Sequence, residues 1–349
     1  METIFVKGGT GSSRILAGES LENLKSYIPP SGVFIITDSN VNRIYGKSFP
    51  GHPVFVTEPG ESSKATETVL SACRWLLDKG AGRDSFILGI GGGIVCDIAG
   101  FTASVFMRGV RFGFVATTLL AQVDASVGGK NGVNLDGYKN IIGCFNQPDF
   151  VICDTEMLVS LPPEEIKNGL AEAVKHTLID NRNMFKTIWD NAGEIKELKN
   201  TGVLNRLISH SVHVKAAIVN RDENEQGERR KLNLGHTWGH AIEKITGMPH
   251  GKAVSIGLVF AARLSEYKGL LKPRDRERLT ELLVRLELPT ASSTDPMQVL
   301  TALLKDKKRE ADHIHFVMIK SIGRVVVEAI PVRWLQDYVK QHKKDIPAF

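Results

Sequence analysis

The chain has 349 residues, enough for two domains that each bury a core of their own. Its hydrophobic fraction of 42%, charged fraction of 24% and net charge of +5 are ordinary for a globular protein. The basic runs at 274–278 and 305–309 carry no aromatic residues, which argues against nucleic-acid binding. No membrane span, signal peptide or CxxC pair is recognisable, so we expect a cytoplasmic protein whose four cysteines are reduced, with no nucleic-acid or membrane partner.

The first half of the chain alternates between strands and helices. Short β-branched or aromatic runs at 33–37, 54–57 and 86–90 are typical of buried parallel strands, and residues 65–79 form a candidate helix. This alternation predicts a parallel sheet with right-handed crossovers, which binds ligands at the carboxyl ends of its strands. The later segment KNGVNLDGYKN predicts a small hairpin that turns at Asp136 and Gly137.

The character of the sequence changes near residue 160. Pro162 and Pro163 interrupt the chain there, and the remainder is predominantly helical. Candidate helices cover 164–178, 203–220, 234–246, 250–268, 274–286 and 332–342. The runs HIHFVMIK and RVVVEAI predict a late pair of strands. We therefore expect a domain boundary near residue 160.

A glycine cluster follows the strand at 86–90, in the segment ILGIGGGIVCDIAGF. Glycines allow backbone amides to approach a pyrophosphate, and the start of a helix adds the positive end of its dipole. The segment departs from the usual GxGxxG pattern because Ile94 and Cys96 stand within it, so a simple tight turn remains an alternative. Polar side chains after two other strands favour a nucleotide: Asp38, Asn40, Glu61 and Lys64.

Several cations and amides lie in otherwise small or apolar segments. The stretch TTLLAQVDASVGGKNGVNLDGYKN contains four polar candidates: Asp124, Lys130, Lys139 and Asn140. Its lysines are either solvated on a hairpin or bind phosphate oxygens. Four more candidates follow in the second half: Lys215, Arg229, Asn233 and Lys320. Lys320 is either an edge-strand lysine that reaches water or an anion-binding residue that lines a pocket.

The segment LNLGHTWGHAIEKITGMPHG carries three histidines: His236, His240 and His250. His236 and His240 are four apart and share a helix face, as do Glu172 and Lys175 in the upstream segment GLAEAVKH. Two histidines and one carboxylate are a common ligand set for a catalytic divalent metal. Neighbouring glycines would permit close approach, but the spacing leaves open which two histidines bind the ion.

Taken together, these segments strongly resemble the 3-dehydroquinate synthase family of sugar-phosphate cyclases. The resemblance covers nearly the whole chain through PGExxK, GGGxxxD, MRGVRF, TTLLAQVDASVGGK, GYKN, LPPEExxxGLAEAVKH and LNLGHTWGHAIE. It implies an N-terminal α/β dinucleotide-binding domain with a mostly parallel sheet (1–160) and a mostly α-helical metal- and substrate-binding domain (161–349). The implied cofactors are NAD and one divalent metal, usually zinc, with cobalt as a substitute.

The resemblance also assigns site residues. It implies that Glu172, His236 and His250 bind the metal, and that His240 is a polar catalytic group near the substrate phosphate. The implied NAD residues are Asp38, Asn40, Glu61, Lys64, Gly92, Gly93, Asp97, Thr117, Thr118, Leu120, Lys130 and Lys139. The implied substrate residues are Asp124, Lys130, Asn140, Lys175, Lys215, Arg229, Asn233 and Lys320. Arg108 matches an arginine that the family donates to its neighbour's site, which implies a homodimer.

The sequence departs from the family pattern at two places. Cys96 stands where many relatives have glycine, and the interval from His240 to His250 is shorter than expected for the family. A shorter interval can displace His250, so its ligand role depends on the local fold.

The implied activity is a phosphate-eliminating lyase reaction of the shikimate pathway for aromatic amino acids. Transient oxidation by NAD, β-elimination of phosphate, re-reduction and an intramolecular aldol convert 3-deoxy-D-arabino-heptulosonate 7-phosphate, an anionic sugar phosphate, to 3-dehydroquinate. A sibling cyclase that acts on a substrate without a carboxylate is one alternative. A metal- and NAD-dependent polyol dehydrogenase of related fold is another.

Overall fold

The structure, a computed structural model, describes residues 1–306 and 312–343. The chain forms two compact units. Unit 1 comprises Met1–Glu165 and Leu204–Asn224, and unit 2 comprises Ile166–Val203 and the described residues from Glu225 onward. The basic run at 305–309 lies largely outside the described residues. A division into functional domains at residue 160 stays a prediction.

The described residues contain β-strands and α-helices that we number separately in chain order. The strands are β1 (Glu2–Gly8), β2 (Gly11–Ala17), β3 (Val33–Asp38), β4 (Val54–Thr57), β5 (Phe86–Gly91), β6 (Arg111–Ala116), β7 (Lys130–Leu135), β8 (Tyr138–Phe145), β9 (Phe150–Cys153), β10 (His313–Ser321) and β11 (Arg324–Pro331). The helices are α1 (Ser39–Tyr45), α2 (Thr66–Asp78), α3 (Gly93–Val105), α4 (Pro163–Ile179), α5 (Arg182–Asp190), α6 (Ala192–Lys196), α7 (Thr201–Val219), α8 (His236–Thr246), α9 (His250–Tyr267), α10 (Pro273–Arg285), α11 (Pro296–Asp306) and α12 (Val332–Gln341).

Unit 1 is built on a seven-stranded sheet with the order β1-β2-β9-β6-β5-β3-β4. β1 and β2 are antiparallel, and the other neighbouring strands are parallel. The predicted mostly parallel sheet is therefore confirmed, including the strands at 33–37, 54–57 and 86–90. Every residue of β5 is buried, and Phe86 stacks on Phe150 with ring centroids 6.0 Å apart. Burial on both faces explains why this strand reads as a continuous apolar run.

The predicted hairpin of unit 1 is also confirmed. β7 and β8 pair antiparallel, and the turn residues Asp136 and Gly137 have φ angles of +48° and +79°. Two successive positive φ angles are typical of the tight hairpin turn that Asp-Gly favours. The register shifts between Val133 and Leu135, so the pairing of the hairpin is irregular at the residue between them.

Unit 2 is predominantly helical, as predicted, with the late strand pair β10 and β11 packed beside its helices. Its core includes Trp238 and Phe260, whose rings stack at 3.8 Å with an interplanar angle of 4°. The predicted helices at 164–178, 234–246, 250–268, 274–286 and 332–342 correspond to α4, α8, α9, α10 and α12. The helix predicted at 203–220 is α7, most of which belongs to unit 1. Among the helices that the structure describes, none is long and apolar enough to cross a membrane.

Candidate metal centre and cofactor site

The candidate metal centre begins on α4, whose residues are buried from Asn168 to Ile179. Glu172 and Lys175 are three apart and lie on the same face of this helix, with exposed side-chain fractions of 0% and 1%. The Lys175 Nζ is 2.5 Å from the Glu172 Oε2. A buried carboxylate is costly unless a charge partner accompanies it, so Lys175 keeps Glu172 ionised inside the unit.

The two helices that carry the histidines pack almost backbone to backbone. A Cβ atom on Gly257 of α9 would lie 1.9 Å from the Gly235 carbonyl oxygen, and one on Gly239 of α8 would lie 2.8 Å from the Ala253 oxygen. A Cβ on Gly251 would lie 2.4 Å from the Asn168 Cα of α4. The expected role of Gly235, Gly239 and Gly251 in close approach is therefore confirmed, and Gly257, which the sequence analysis did not single out, serves the same contact.

The short interval between His240 and His250 does not displace the second histidine. α8 ends at Thr246, Gly247 adopts a left-handed φ of +67°, and α9 begins at His250. A three-residue connection thus brings His250 directly back to the start of the next helix. Glycine is suited to this position because a side chain would strain its left-handed backbone.

Glu172, His236 and His250 converge. The Glu172 Oε1 lies 3.3 Å from the His236 Nε2 and 3.2 Å from the His250 Nε2, and the candidate ligand atoms all lie within 4.8 Å of one another. Donors bound at 2.0–2.1 Å to one tetrahedral ion are separated by about 3.3 Å. The spacing and the chemistry of this donor set therefore fit a single divalent ion with one position left for substrate.

Both histidines are oriented by acceptors on their far side. The His236 Nδ1 lies 3.1 Å from the Leu234 carbonyl oxygen, and the His250 Nδ1 lies 3.1 Å from the Glu243 Oε2. An Nδ1–H held in this way leaves Nε2 as the ligand atom, and such outer partners are usual around metal-binding histidines. Glu243 was missed by the sequence analysis, although it stands three residues after His240 on the same helix.

The electrostatics of the group follow from this arrangement. Burial alone would raise the pKa of Glu172, but Lys175, His236 and His250 outweigh it and hold the pKa well below its ordinary value. Burial would lower the pKa of His250, but hydrogen bonds to Glu172 and Glu243 raise it to about 9. A bound divalent ion would displace the proton of the His250 imidazolium and supply the positive charge beside Glu172 and Glu243 in its place.

His240 occupies a different position from the other two histidines. It is exposed, and its ring centroid lies 5.0 Å from that of His236 and 5.8 Å from that of His250. It also groups with Glu243 and His250 as a possible ligand set. Although part of this side chain is exposed, the atoms that surround its ring desolvate it and, with the neighbouring rings of His236 and His250, lower the pKa of His240, so its imidazole is neutral near pH 7. A neutral ring beside the metal group can accept or donate one hydrogen bond.

In unit 1, the order of strands marks a place for a ligand. The chain passes from β3 to β4 on one side and then to β5 on the other side of β3, so the strand order reverses there. Asp38 ends β3, and Gly92 and Gly93 follow β5, at the same carboxyl edge of the sheet. Dinucleotides bind at such switch points in open α/β sheets.

The glycine cluster serves the packing of this edge as well. A Cβ atom on Gly92 would lie 2.9 Å from the Thr118 Cγ2, and one on Gly93 would lie 2.9 Å from the Ala125 Cβ. Packing therefore favours glycine at both positions, independently of any ligand. Within the described residues, no side chain caps the start of α3 at Gly92, which leaves its first amides oriented to meet an anion.

The other predicted cofactor residues occupy several local arrangements. Lys64 is buried and forms an ion pair with Asp97 on α3, and burial raises the pKa of Asp97 although Lys64 opposes the change. Asp38 caps α1, because its Oδ1 accepts from the Asn40 and Val41 amides at 2.9 and 3.0 Å. Three further predicted positions follow β6: Thr117, Thr118 and Leu120.

Two predicted substrate residues of unit 1 are in direct contact. The Lys215 Nζ donates to the Asp124 backbone oxygen at 2.7 Å and to its carboxylate, and Lys215 is 8% exposed. Lys130 and Asn140 are exposed on the hairpin, and the Lys139 Nζ is 3.8 Å from the Glu61 Oε1. Arg108 is also exposed, in a turn where Met107 and Arg108 have φ angles of +51° and +69°.

The predicted substrate residues of unit 2 differ in burial and in their hydrogen-bond partners. Arg229 is buried, and the Asn233 Nδ2 donates to the Glu225 Oε1 at 2.6 Å. Lys320 is exposed where the register of β10 and β11 shifts between Ile319 and Ser321. A bulge re-aims a side chain and supports an orientation toward solvent. In the described part of unit 2, Lys320 forms no hydrogen bond or ion pair with the metal-ligand group.

Comparison with known proteins covers both units. Residues 54–168 match the family model "3-dehydroquinate synthase N-terminal", and residues 169–309 match "3-dehydroquinate synthase C-terminal". The 3-dehydroquinate synthase of Pyrococcus abyssi is 40% identical over 323 residues, which cover 89% of this chain and 93% of that protein. That of Acidithiobacillus ferrooxidans is 41% identical over 307 residues, covering 84% of each chain.

Solved structures show the same fold. A 2-deoxy-scyllo-inosose synthase complexed with carbaglucose-6-phosphate, NAD+ and Co2+ has a TM-score of 0.84 and 25% identity, covering 97% of this chain and 99% of that one. The 2-epi-5-epi-valiolone synthase from Streptomyces hygroscopicus subsp. jinggangensis, with NAD+ and Zn2+ bound, has a TM-score of 0.86 and 23% identity, covering 97% and 98%.

Proposed function

Because the chain belongs to the 3-dehydroquinate synthase family, we propose that Glu172, His236 and His250 hold one divalent metal ion for that reaction. The protein is an enzyme with 3-dehydroquinate synthase activity, a lyase of the shikimate pathway. The observation that carries the metal proposal is the convergence of three donors within 4.8 Å, with the Glu172 Oε1 at 3.3 and 3.2 Å from the two histidine nitrogens, close to the separation that one tetrahedral ion requires.

Zinc is the proposed ion, with cobalt as a substitute. Two imidazoles and a carboxylate are a usual catalytic zinc set, and related cyclases carry Zn2+ or Co2+. When bound, the ion supplies Lewis-acid polarisation of a substrate hydroxyl, and NAD supplies a reversible hydride acceptor. Glu243 and the Leu234 carbonyl would hold the two imidazoles with Nε2 directed at the ion.

We also propose an NAD site at the carboxyl edge of the unit 1 sheet. The switch in strand order and the uncapped start of α3 support it, as does NAD+ in both related cyclase structures. The proposed NAD residues are Asp38, Asn40, Glu61, Lys64, Gly92, Gly93, Asp97, Thr117, Thr118, Leu120, Lys130 and Lys139. Because Asp38 caps α1 through its Oδ1, we assign any ligand contact of this residue to its Oδ2.

The substrate of the family is a sugar phosphate, and this enzyme's substrate carries a carboxylate as well. We propose that the cations Lys130, Lys175, Lys215, Arg229 and Lys320 bind these anionic groups, together with the neutral side chains of Asn140, Asn233 and His240. Asp124 is proposed to contact the substrate elsewhere than at its anionic groups. Fixed cations in a site of this kind stabilise developing charge without reorganisation. Lys175 additionally keeps the metal ligand Glu172 ionised, and neutral His240 can accept or donate a hydrogen bond.

A homodimer in the cytoplasm is the proposed state of the enzyme. The strained turn at 107–109 presents Arg108 to solvent, which suits an arginine that completes a neighbour's site. All four cysteines are free thiols, which suits a reducing compartment. Sedimentation of the wild-type protein and of Arg108→Ala tests whether the enzyme is a dimer. Activity recovered when Arg108→Ala is mixed with a second inactive variant tests whether the arginine acts in the neighbour's site.

The substrate assignment has a direct test. Purified enzyme is given either 3-deoxy-D-arabino-heptulosonate 7-phosphate or sedoheptulose 7-phosphate, and released phosphate and NADH absorbance are followed. We expect phosphate only from the heptulosonate, without net NADH, because the hydride returns to the substrate. Release from sedoheptulose 7-phosphate would indicate a sibling cyclase, and NADH accumulation with glycerol would indicate a dehydrogenase. Lys320→Ala should raise the KM for the heptulosonate, and an unchanged KM and kcat would remove Lys320 from the site.

A further inference from the structure

The β7–β8 hairpin is tied to the turn that follows β4 through one side chain, Asn134. Its Nδ2 donates to the Glu61 Oε1 at 2.8 Å, and its Oδ1 accepts from the Asn140 amide at 2.9 Å. Both polar atoms of this amide therefore form hydrogen bonds, one to the turn after β4 and one to β8. Glu61 lies in the proposed NAD site and Asn140 in the proposed substrate site, whereas Asn134 belongs to neither.

The backbone of Asn134 reinforces the connection. Its N–H donates to the Lys64 carbonyl oxygen at 2.8 Å, and Asn134 forms an isolated parallel bridge with Ala65. Asn134 sits at the irregular position of the hairpin, between the paired residues Val133 and Leu135. A residue released from the regular ladder can pair elsewhere, so the irregularity makes this second attachment possible.

The contacts of Asn134 also fix the hairpin tip. Asn140 has a φ of +53°, a left-handed conformation that asparagine adopts more readily than most residues. The hydrogen bond from its backbone amide to the Asn134 Oδ1 holds the chain in this conformation. Lys139, the adjacent residue, lies 3.8 Å from the same Glu61 oxygen that Asn134 holds. Glu61 and Asn140 are thus hydrogen-bonded to the same amide, and Lys139 lies beside the Glu61 carboxylate.

We propose that Asn134 is a positioning residue that couples the binding of NAD to the binding of substrate. This inference rests on the proposed roles of Glu61, Lys139 and Asn140. A ligand that orders one side of the Asn134 link also orders the other side, so the second ligand loses less conformational freedom when it binds. The coupling is positive and reciprocal, and it requires no contact between Asn134 and either ligand.

The test measures NADH binding by fluorescence, with and without saturating 3-deoxy-D-arabino-heptulosonate 7-phosphate. NADH cannot accept a hydride, so the ternary complex does not turn over. In the wild-type enzyme we expect the heptulosonate to tighten NADH binding by about 5-fold or more. In Asn134→Ala the ratio of the two dissociation constants should fall to about one, because the link is absent. A residue with a merely structural role would lower stability without changing this ratio.

The matched control is Asn23→Ala. The Asn23 Nδ2 donates to the Glu19 Oε1 at 2.8 Å, so this variant also removes an asparagine–glutamate hydrogen bond from unit 1. It should retain the wild-type ratio. Thermal unfolding of both variants shows whether they are folded, and Asn134→Asp serves as a second variant that keeps the acceptor for Asn140 but repels Glu61. Its ratio should also fall.

A ratio that is near one in the wild type, or that is the same in Asn134→Ala, would overturn the inference. The variants Glu61→Ala and Asn140→Ala separate this outcome from failure of the proposed sites. If they weaken binding of NADH and of the heptulosonate respectively while Asn134→Ala keeps the coupling, only the role of Asn134 is wrong. If neither variant changes binding, the site assignments themselves are wrong.

Discussion

Replacing Glu243 with alanine tests whether the metal centre depends on the carboxylate behind His250. The Glu243 Oε2 lies 3.1 Å from the His250 Nδ1 and fixes the ring with its Nε2 toward Glu172. Without it, the ring can rotate about its side-chain bonds and its basicity falls. Outer partners of this kind typically contribute 10- to 100-fold to metal affinity, or about 1.4 to 2.8 kcal/mol.

We therefore expect Glu243→Ala to raise the zinc dissociation constant of the metal-free enzyme by about 10- to 100-fold, measured by competition with a chromogenic chelator. Glu243→Gln should show a smaller loss, because its amide oxygen still accepts from Nδ1–H but without charge assistance. Glu281→Ala is the control, since Glu281 pairs with Arg285 on the exposed face of α10. Equal zinc affinity in Glu243→Ala and the wild type would refute the reasoning.

Three further predictions concern stability and are measured by urea unfolding. Gly257→Ala should destabilise the protein by about 1–3 kcal/mol or more, because the new Cβ would lie 1.9 Å from a backbone carbonyl oxygen. Gly193→Ala is the control and should not destabilise the protein, because the space around Gly193 is open. Similar losses of stability in both variants would contradict this prediction. Burial would raise the pKa of Glu223, but hydrogen bonds outweigh burial and lower the pKa below 4.5. The ionised carboxylate therefore stabilises the folded protein above pH 4.5, and this contribution is lost as the pH falls through the folded-state pKa. The stability difference between wild type and Glu223→Gln should therefore be larger at pH 7 than at pH 4, and a difference independent of pH would oppose the assignment. Trp238→Ala should cost about 3–5 kcal/mol through loss of its stack on Phe260, and a loss below about 1 kcal/mol would argue against that packing.

The sequence analysis predicted several long or strongly apolar elements and missed others, among them the strands β1 and β2 and the helices α5 and α11. Long buried helices such as α4 and α9 and the apolar strand β5 follow directly from their patterns. α6 has five residues, too few to display a helical period, and β9 has four. Elements of this length are stabilised by tertiary packing, which a single sequence does not display.

In the candidate site, residues were predicted where their type and motif point to a ligand, and were missed where they act through another residue. His236 and His250 are readable as ligands because of residue type and motif, and the structure brings them to Glu172. Glu243 and Asn134 were missed because each acts through another residue. The partner of Asn134, Glu61, is 73 positions away in the chain, so only folding reveals their contact.

Removal and return of the metal test the central claim most directly. Phosphate release from 3-deoxy-D-arabino-heptulosonate 7-phosphate is followed with NAD far below the substrate concentration, first in untreated enzyme, then after chelation, and then after added zinc. We predict that many turnovers occur per NAD, that chelation abolishes them, and that zinc restores them in the wild type but not in Glu172→Ala. Turnover that survives complete removal of metal, or that Glu172→Ala retains, would contradict a catalytic ion held by Glu172, His236 and His250.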